Sequence, residues 1–100
     1  MRIITARRPP EPECSLRAHM QSVSSVRFLA RGPEAGLGLA SGDTGGQVKL
    51  WDLVLQRPVV EWAASGDGIV EIHEHAGGRQ VLTQARDGYI KLWDLDRLLA

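Results

Sequence analysis

Gly46-Gln47-Val48-Lys49-Leu50-Trp51-Asp52-Leu53 recurs as Gly88-Tyr89-Ile90-Lys91-Leu92-Trp93-Asp94-Leu95, with six of the eight positions identical and Ile90 replacing Val48 conservatively. Trp51 and Trp93 stand 42 residues apart, a fixed period within the roughly 20 to 50 residues of repeat architectures. Within each copy the large apolar side chains fall on both sides of the pleat, Leu50 opposite in facing to Trp51. Such a strand is covered on both of its faces, unlike the half-exposed strand of an ordinary antiparallel sheet. Gly45 and Gly46 before the first of these strands, and Asp87 and Gly88 before the second, supply the turn that leads into the strand.

Outward from this repeat the chain reads as short apolar runs punctuated by glycine and proline, the pattern of strands and tight turns. Seven strands are expected, over 23–28, 37–41, 48–53, 59–62, 69–73, 80–83 and 89–95, with a helical turn over Asp96–Leu99. The expected divisions are a flexible Pro-rich leader over 1–12, a first repeat over 13–62 and a second over 63–100 that stops before its outer strand. In the leader, Pro9, Pro10 and Pro12 forbid helix and cannot donate to a sheet ladder.

Composition narrows the function classes. The chain has 43% hydrophobic residues, enough for a packed core, and 12 basic against 12 acidic side chains. A net charge of zero provides no broad field to gather nucleic acid or anionic lipid, so neither is an expected partner. The basic residues Arg7, Arg8, Arg31, Arg79 and Arg86 are scattered among acids. Cys14 stands alone and cannot form an intramolecular disulfide, which points to the cytoplasm or nucleus. Met1 to Ala6 lacks the long apolar run of a secretory signal, and the apolar stretches fall far short of the roughly 18 residues that span a bilayer.

The paired Val-Lys-Leu-Trp-Asp and Ile-Lys-Leu-Trp-Asp segments, with their turn glycines and period, resemble the WD-repeat family over residues 13 to 100. The resemblance implies an all-β fold, a partial WD40 β-propeller of about two four-stranded antiparallel blades. It also implies a set of residues that hold each blade together: a His before the first strand, a Ser or Thr in the second, an Asp in the next turn and the Trp of the third. By position, the first repeat offers His19, Ser41 and Trp51, with Gly45 where the Asp belongs. The second offers Thr83, Asp87 and Trp93, with no His near Ala64. Each set is thus expected to lack one member, and both blades to be weaker for it. Asp52 and Asp94 complete the Trp-Asp pairs.

In the family the strand before the first repeat, here about 14–17, closes the last blade. Two blades would leave two flat faces bare, so the chain is expected to be a fragment of a ring of about seven blades. The faces would be covered by the remaining blades in the same chain, or otherwise by self-association. The implied role is a scaffold that binds other proteins, without catalysis and without cofactor or metal. A narrower resemblance within the family rests on Leu16, Arg17 and the run Gly78-Arg79-Gln80-Val81-Leu82-Thr83-Gln84-Ala85-Arg86-Asp87. It implies an adaptor in ASTRA-linked kinase maturation or in chromatin-linked assemblies.

Other chemistries have weaker support in the residues. His73 and His75 place two imidazoles on one side of an extended segment, the start of a metal site, but no third ligand lies near them in sequence. His19 has the chemistry of a general base, without a nucleophile in a recognisable context. The alternative function is therefore a metal-binding or hydrolytic protein using His73 and His75 or His19. Gly42-Asp43-Thr44-Gly45-Gly46 lacks the Gly-Lys-Ser/Thr end of a phosphate loop and leads into a strand, so it reads as a hairpin turn. Trp62 falls on an outer strand where the family does not require tryptophan, and reads as a contact residue.

Overall fold

The computed structural model describes residues 11–12, 15–29 and 38–99. Two antiparallel sheets succeed one another along the chain. The first has four strands in the order β1 (Val23–Phe28), β2 (Leu39–Asp43), β3 (Gln47–Asp52) and β4 (Arg57–Ala63). The second has three, β5 (Ile69–His75), β6 (Gln80–Ala85) and β7 (Ile90–Asp94), and ends in the one-turn helix α1 (Leu95–Leu98). Every connection within a sheet joins neighbouring strands, the meander that a chain of hairpins produces.

The registers show that the two sheets are copies. Ser41 pairs with Lys49 and Gly42 with Val48; 42 residues on, Thr83 pairs with Lys91 and Gln84 with Ile90. Both first strands carry a bulge at the same place, between Val23 and Ser25 and between Ile69 and Glu71. Val26 pairs with Ser41 and Ile72 with Thr83, so Val26 and Ile72 are equivalent although they lie 46 residues apart. The chain from Val26 to Ser41 is four residues longer than that from Ile72 to Thr83, which hides the equivalence of the first strands from any fixed period.

The sheets stack face to face. Val48, Leu50 and Ala40 of the first meet Ile69, Ile72, Val81 and Ala85 of the second in one buried cluster, joined by Ala64 from the link between them. Burying each Val, Leu or Ile side chain contributes about 1.5–3 kcal/mol, so this layer is the main force holding sheet to sheet. Polar groups fix how the sheets lie. Ser24 Oγ donates to Ile69 O, Arg27 Nε donates to Ile72 O at 3.1 Å, and Lys91 Nζ donates to Ala64 O at 2.9 Å. Gly42 lies against Ile69, where an added Cβ would come within 2.8 Å of a side-chain carbon.

Several boundaries differ from those the sequence suggests. The second strand begins at Leu39 rather than Leu37, which lies outside the described residues, and it runs to Asp43 because its ladder continues to Val48 and Val23. The fifth strand runs on through His75, because Glu74 and His75 find ladder partners in Val81 and Gln80. Of the expected strand at 14–17, Cys14 is outside the described residues, and 15–17 join no ladder with the described strands. A strand exists only against a partner, and these residues have none among the described strands. The leader over 1–12 lies outside the described residues except for Glu11 and Pro12, which are exposed.

Gly46 and Gly88 occupy equivalent turns with φ of 88° and 87°, where a side chain is strained by about 1–2 kcal/mol. Their surroundings differ. An added Cβ at Gly46 would run into Ser65 O, whereas at Gly88 nothing lies within 4 Å. Gly88→Ala should therefore cost about 1–2 kcal/mol, and Gly46→Ala a further 1–3 kcal/mol or so for prising the sheets apart. Denaturant unfolding of the two variants measures the difference; equal losses would mean that the junction at Ser65 is not tight.

Candidate functional site

In the first sheet a chain of side chains runs from turn to core. Asp43 Oδ1 accepts from the backbone N–H of Gly45 at 2.9 Å and of Gln47 at 3.0 Å. Its Oδ2 accepts from His19 Nδ1 at 2.8 Å. His19 Nε2 then meets Ser41 Oγ at 2.6 Å, and Ser41 Oγ accepts from Trp51 Nε1 at 2.8 Å. With Nδ1 carrying the proton given to Asp43, Nε2 accepts from the Ser41 hydroxyl, so each donor meets an acceptor. Ser41, Asp43 and Trp51 are buried, and the relay leaves none of their polar groups unpaired in the interior.

The relay is complete, contrary to the expectation that Gly45 leaves a gap. The acid is Asp43, two residues earlier, at the end of β2. Alignment by the tryptophan period sets Gly45 opposite Asp87, but a carboxylate on the strand end reaches the same N–H: Asp43 accepts from Gln47 as Asp87 accepts from the equivalent Tyr89 at 3.0 Å. The signal was in the sequence as Ser41-Gly42-Asp43, with the acid and the hydroxyl on alternate strand residues.

The second sheet holds two halves of such a relay. Trp93 Nε1 donates to Thr83 Oγ1 at 2.9 Å. At the turn, Ser65 stands where a histidine is missing, and its hydroxyl donates to Asp87 Oδ2 at 2.8 Å. Sequence reasoning missed Ser65 because a hydroxyl was not sought at a histidine position; it lies 22 residues before Asp87, much as His19 lies 24 before Asp43. The Tyr89 N–H, then the Ser65 hydroxyl, and also the charge on Lys91 hold the Asp87 carboxyl below its ordinary value. The aspartates of the Trp-Asp pairs cap the turns after them. Asp52 Oδ1 accepts from Val54 N and Leu55 N, both at 2.9 Å, and Asp94 Oδ1 accepts from Asp96 N at 2.9 Å.

Asp43, His19 and Ser41 have the connectivity of an acid–base–nucleophile triad, so the hydrolytic alternative needs a physical answer. Ser41 is 1% exposed, and its oxygen already accepts the indole N–H of Trp51. A nucleophile needs a free lone pair facing a substrate carbon about 3 Å away; here that direction is filled by Trp51. The arrangement ties strand to strand.

His73 is held by ordinary contacts. His73 Nε2 lies 2.7 Å from Glu71 Oε2, and Nδ1 is 3.1 Å from the Arg27 guanidinium, so both ring nitrogens are engaged. Among the described residues no group of three or more His, Cys, Asp or Glu could hold a metal ion. No helix among them is long and apolar enough to cross a membrane. Trp62 is a contact residue between the sheets: its ring meets Trp93 edge-on, centroids 5.4 Å apart at 63°, with a buried Nε1 that has no partner among the described residues.

Comparison with known proteins places these features. A family model described as WD domain, G-beta repeat matches residues 10–52. ASTRA-associated protein 1 of Candida tropicalis is 37% identical over 83 residues, which are 80% of this chain and 21% of that protein. The protein of the same name from Verticillium alfalfae is 34% identical over 86 residues, 86% of this chain and 20% of that one. The chain thus spans about a fifth of the length of these curated relatives. Among solved structures, the β-propeller domain of Cps50 (Swd1) from Myceliophteria thermophila superposes with a TM-score of 0.68 at 25% identity, covering 80% of this chain and 23% of that one. The computationally designed Ika4 protein superposes at 0.66 with 20% identity, covering 80% and 45%.

The two relays should differ in strength. Ser41→Ala strands the His19 and Trp51 groups in the interior and should cost about 2–4 kcal/mol, against about 1–2 kcal/mol for Thr83→Ala, which strands one indole N–H. Denaturant midpoints decide the order, and a larger loss at Thr83 would overturn the view that the first relay is the stronger. For Asp87, the folded value lies below the unfolded one, so its contribution is present above about pH 4 and disappears as pH falls through the folded value. Asp87→Asn should flatten the acid side of a melting-temperature profile; an unchanged slope would remove Asp87 from the turn's acid sensitivity.

Proposed function

Because the chain belongs to the WD-repeat family, we propose that it serves as a non-catalytic scaffold that binds other proteins, within an assembly of the kind that ASTRA-associated protein 1 joins. The observation that carries this reading is how the reactive side chains are used. His19, Asp43 and Ser41 are consumed in fixing a buried tryptophan, which leaves shape as what the blades offer to a partner. Identity of 37% and 34% to two fungal proteins named ASTRA-associated protein 1 supports a place in such an assembly; the narrower adaptor role in kinase maturation or chromatin-linked complexes is part of the proposal. A single cysteine among 100 residues supports a place in the cytoplasm or nucleus.

A segment exchange tests the adaptor role. In the Candida tropicalis protein, replacing the matched 83 residues with the corresponding part of this chain should leave the chimera co-purifying with the same large assemblies as the unaltered protein, as read by affinity purification and mass spectrometry. His73→Ala with His75→Ala in that chimera should change nothing, since neither is needed for shape. A folded, normally expressed chimera that comes away without those assemblies overturns the proposal, and loss of binding on changing the two histidines would return the metal alternative.

A further inference from the structure

We infer that Asp67 is a site of self-modification, where the Gly68 nitrogen attacks the Asp67 side chain and the link between the two blades is rewritten as isoaspartate. The reaction needs an aspartate followed by a residue with no side chain in the way, a backbone nitrogen free to attack and a carboxyl free to be attacked. The chain holds two Asp-Gly pairs, Asp67-Gly68 and Asp87-Gly88. Both aspartates are exposed, so neither residue type nor access of water separates them.

Hydrogen bonding does. Asp67 and Gly68 lie in the link between the end of β4 at Ala63 and the start of β5 at Ile69. The Gly68 N–H donates to Asp67 Oδ1 at 2.7 Å and to no carbonyl among the described residues. The nitrogen therefore rests beside an oxygen that is one bond from the carbon it attacks, and that carboxylate accepts from nothing else among the described residues. An added Cβ at Gly66 meets nothing within 4 Å, so the link can turn about that residue. In the other pair both reactants are committed elsewhere. The Gly88 N–H donates to Ala85 O at 3.1 Å. The Asp87 carboxylate accepts from the Tyr89 N–H at 3.0 Å and the Ser65 hydroxyl at 2.8 Å. Those same two bonds hold the Asp87 carboxyl below its ordinary value, so less of it carries the hydroxyl that must leave.

In the first step the bond from Gly68 N to Asp67 Cγ forms and the Cγ–OH bond of the protonated carboxyl breaks. The hydroxyl leaves as water with the proton of the Gly68 nitrogen, and a cyclic imide results. In the second step water adds to the carbonyl carbon of Asp67, and the bond from that carbon to the Gly68 nitrogen breaks. The α-carboxyl is freed and the main chain runs on through Cβ and Cγ, with the mass unchanged and no oxidant or reductant involved. The link is then longer by a methylene at a tight junction. Gly68 O accepts from Arg86 N at 2.9 Å, a Cβ on Gly68 would lie 3.0 Å from Thr44 O, and one on Gly46 would lie 2.6 Å from Asp67 O. Isomerisation therefore loosens the first blade from the second.

The full chain, held in heavy-oxygen water at neutral pH and body temperature and then digested, is read by mass spectrometry with electron-transfer fragmentation. Heavy oxygen and isoaspartate should enter at Asp67 about tenfold faster than at Asp87, the ratio set by one further hydrogen bond to break. In concentrated urea the two rates should converge, because each aspartate then precedes a glycine in open chain. Asp67→Glu keeps a carboxylate and should lose the label at that position. The isomerised chain, separated by its retention, should unfold at a lower denaturant midpoint than the fresh chain. Equal rates in the folded chain, a faster rate at Asp87 or no label at either overturns the inference, as does a difference that survives in urea. An isomerised chain as stable as the fresh one overturns the loosening of the blades. None of these readings involves a partner protein, so the outcome is independent of the adaptor role.

Discussion

A sheet that is apolar on both faces cannot be stable alone, and the rest of this chain is built around that constraint. Each large side chain of β3 that is not turned toward Trp51's side is turned toward the second blade, and both sides need cover. The layer formed by Val48, Leu50, Ile69, Ile72 and Val81 satisfies the requirement once. Because the hydrophobic contribution scales with area removed from water, the contact between the two sheets satisfies one face of each. The 54% exposure of Leu92 beside the full burial of Leu50 is the same side chain in the same strand, with and without a neighbour.

The polar relays serve the same end. A tryptophan in a blade must bury its indole N–H, and an unpaired one costs about 1–3 kcal/mol. The two blades meet this need with one bond, Trp51 to Ser41 and Trp93 to Thr83, and differ in how far the bond is extended. In the first blade His19 carries the connection to the turn. In the second, Ser65 is too short to reach both ends, so its bond to Asp87 braces the turn and leaves Thr83 to Trp93 alone. A set of atoms that elsewhere makes a nucleophile is here a strut, because burial and a competing donor decide what a hydroxyl can do.

Trp62 shows how contacts between blades are tuned apart from the repeat. Nothing in the repeated motif demands it, yet its edge meets the ring of Trp93, and aromatic pairs of that geometry add about 0.5–1.5 kcal/mol beyond burial. It thus links the outer strand of one blade to the third strand of the next, a second point of attachment away from the inner layer.

Local pattern alone was enough to establish the repeat, the strands and the facing of the side chains. An alternation of side chains along an extended backbone is a local property, and Trp51 and Trp93 with their turn glycines express it twice. The hydroxyl partners Ser41 and Thr83 followed from the resemblance to the WD-repeat family, which sets a Ser or Thr in the second strand, across a short hairpin from each tryptophan. Folding in three dimensions was needed to set the equivalence of Val26 with Ile72, the choice of Asp43 over the position of Gly45, and the use of Ser65. The first was hidden because the chain from Val26 to Ser41 is four residues longer than that from Ile72 to Thr83. The others were hidden because a carboxylate or hydroxyl is selected by where its oxygen arrives in space, and a side chain two residues along a strand can bring its oxygen to the same N–H.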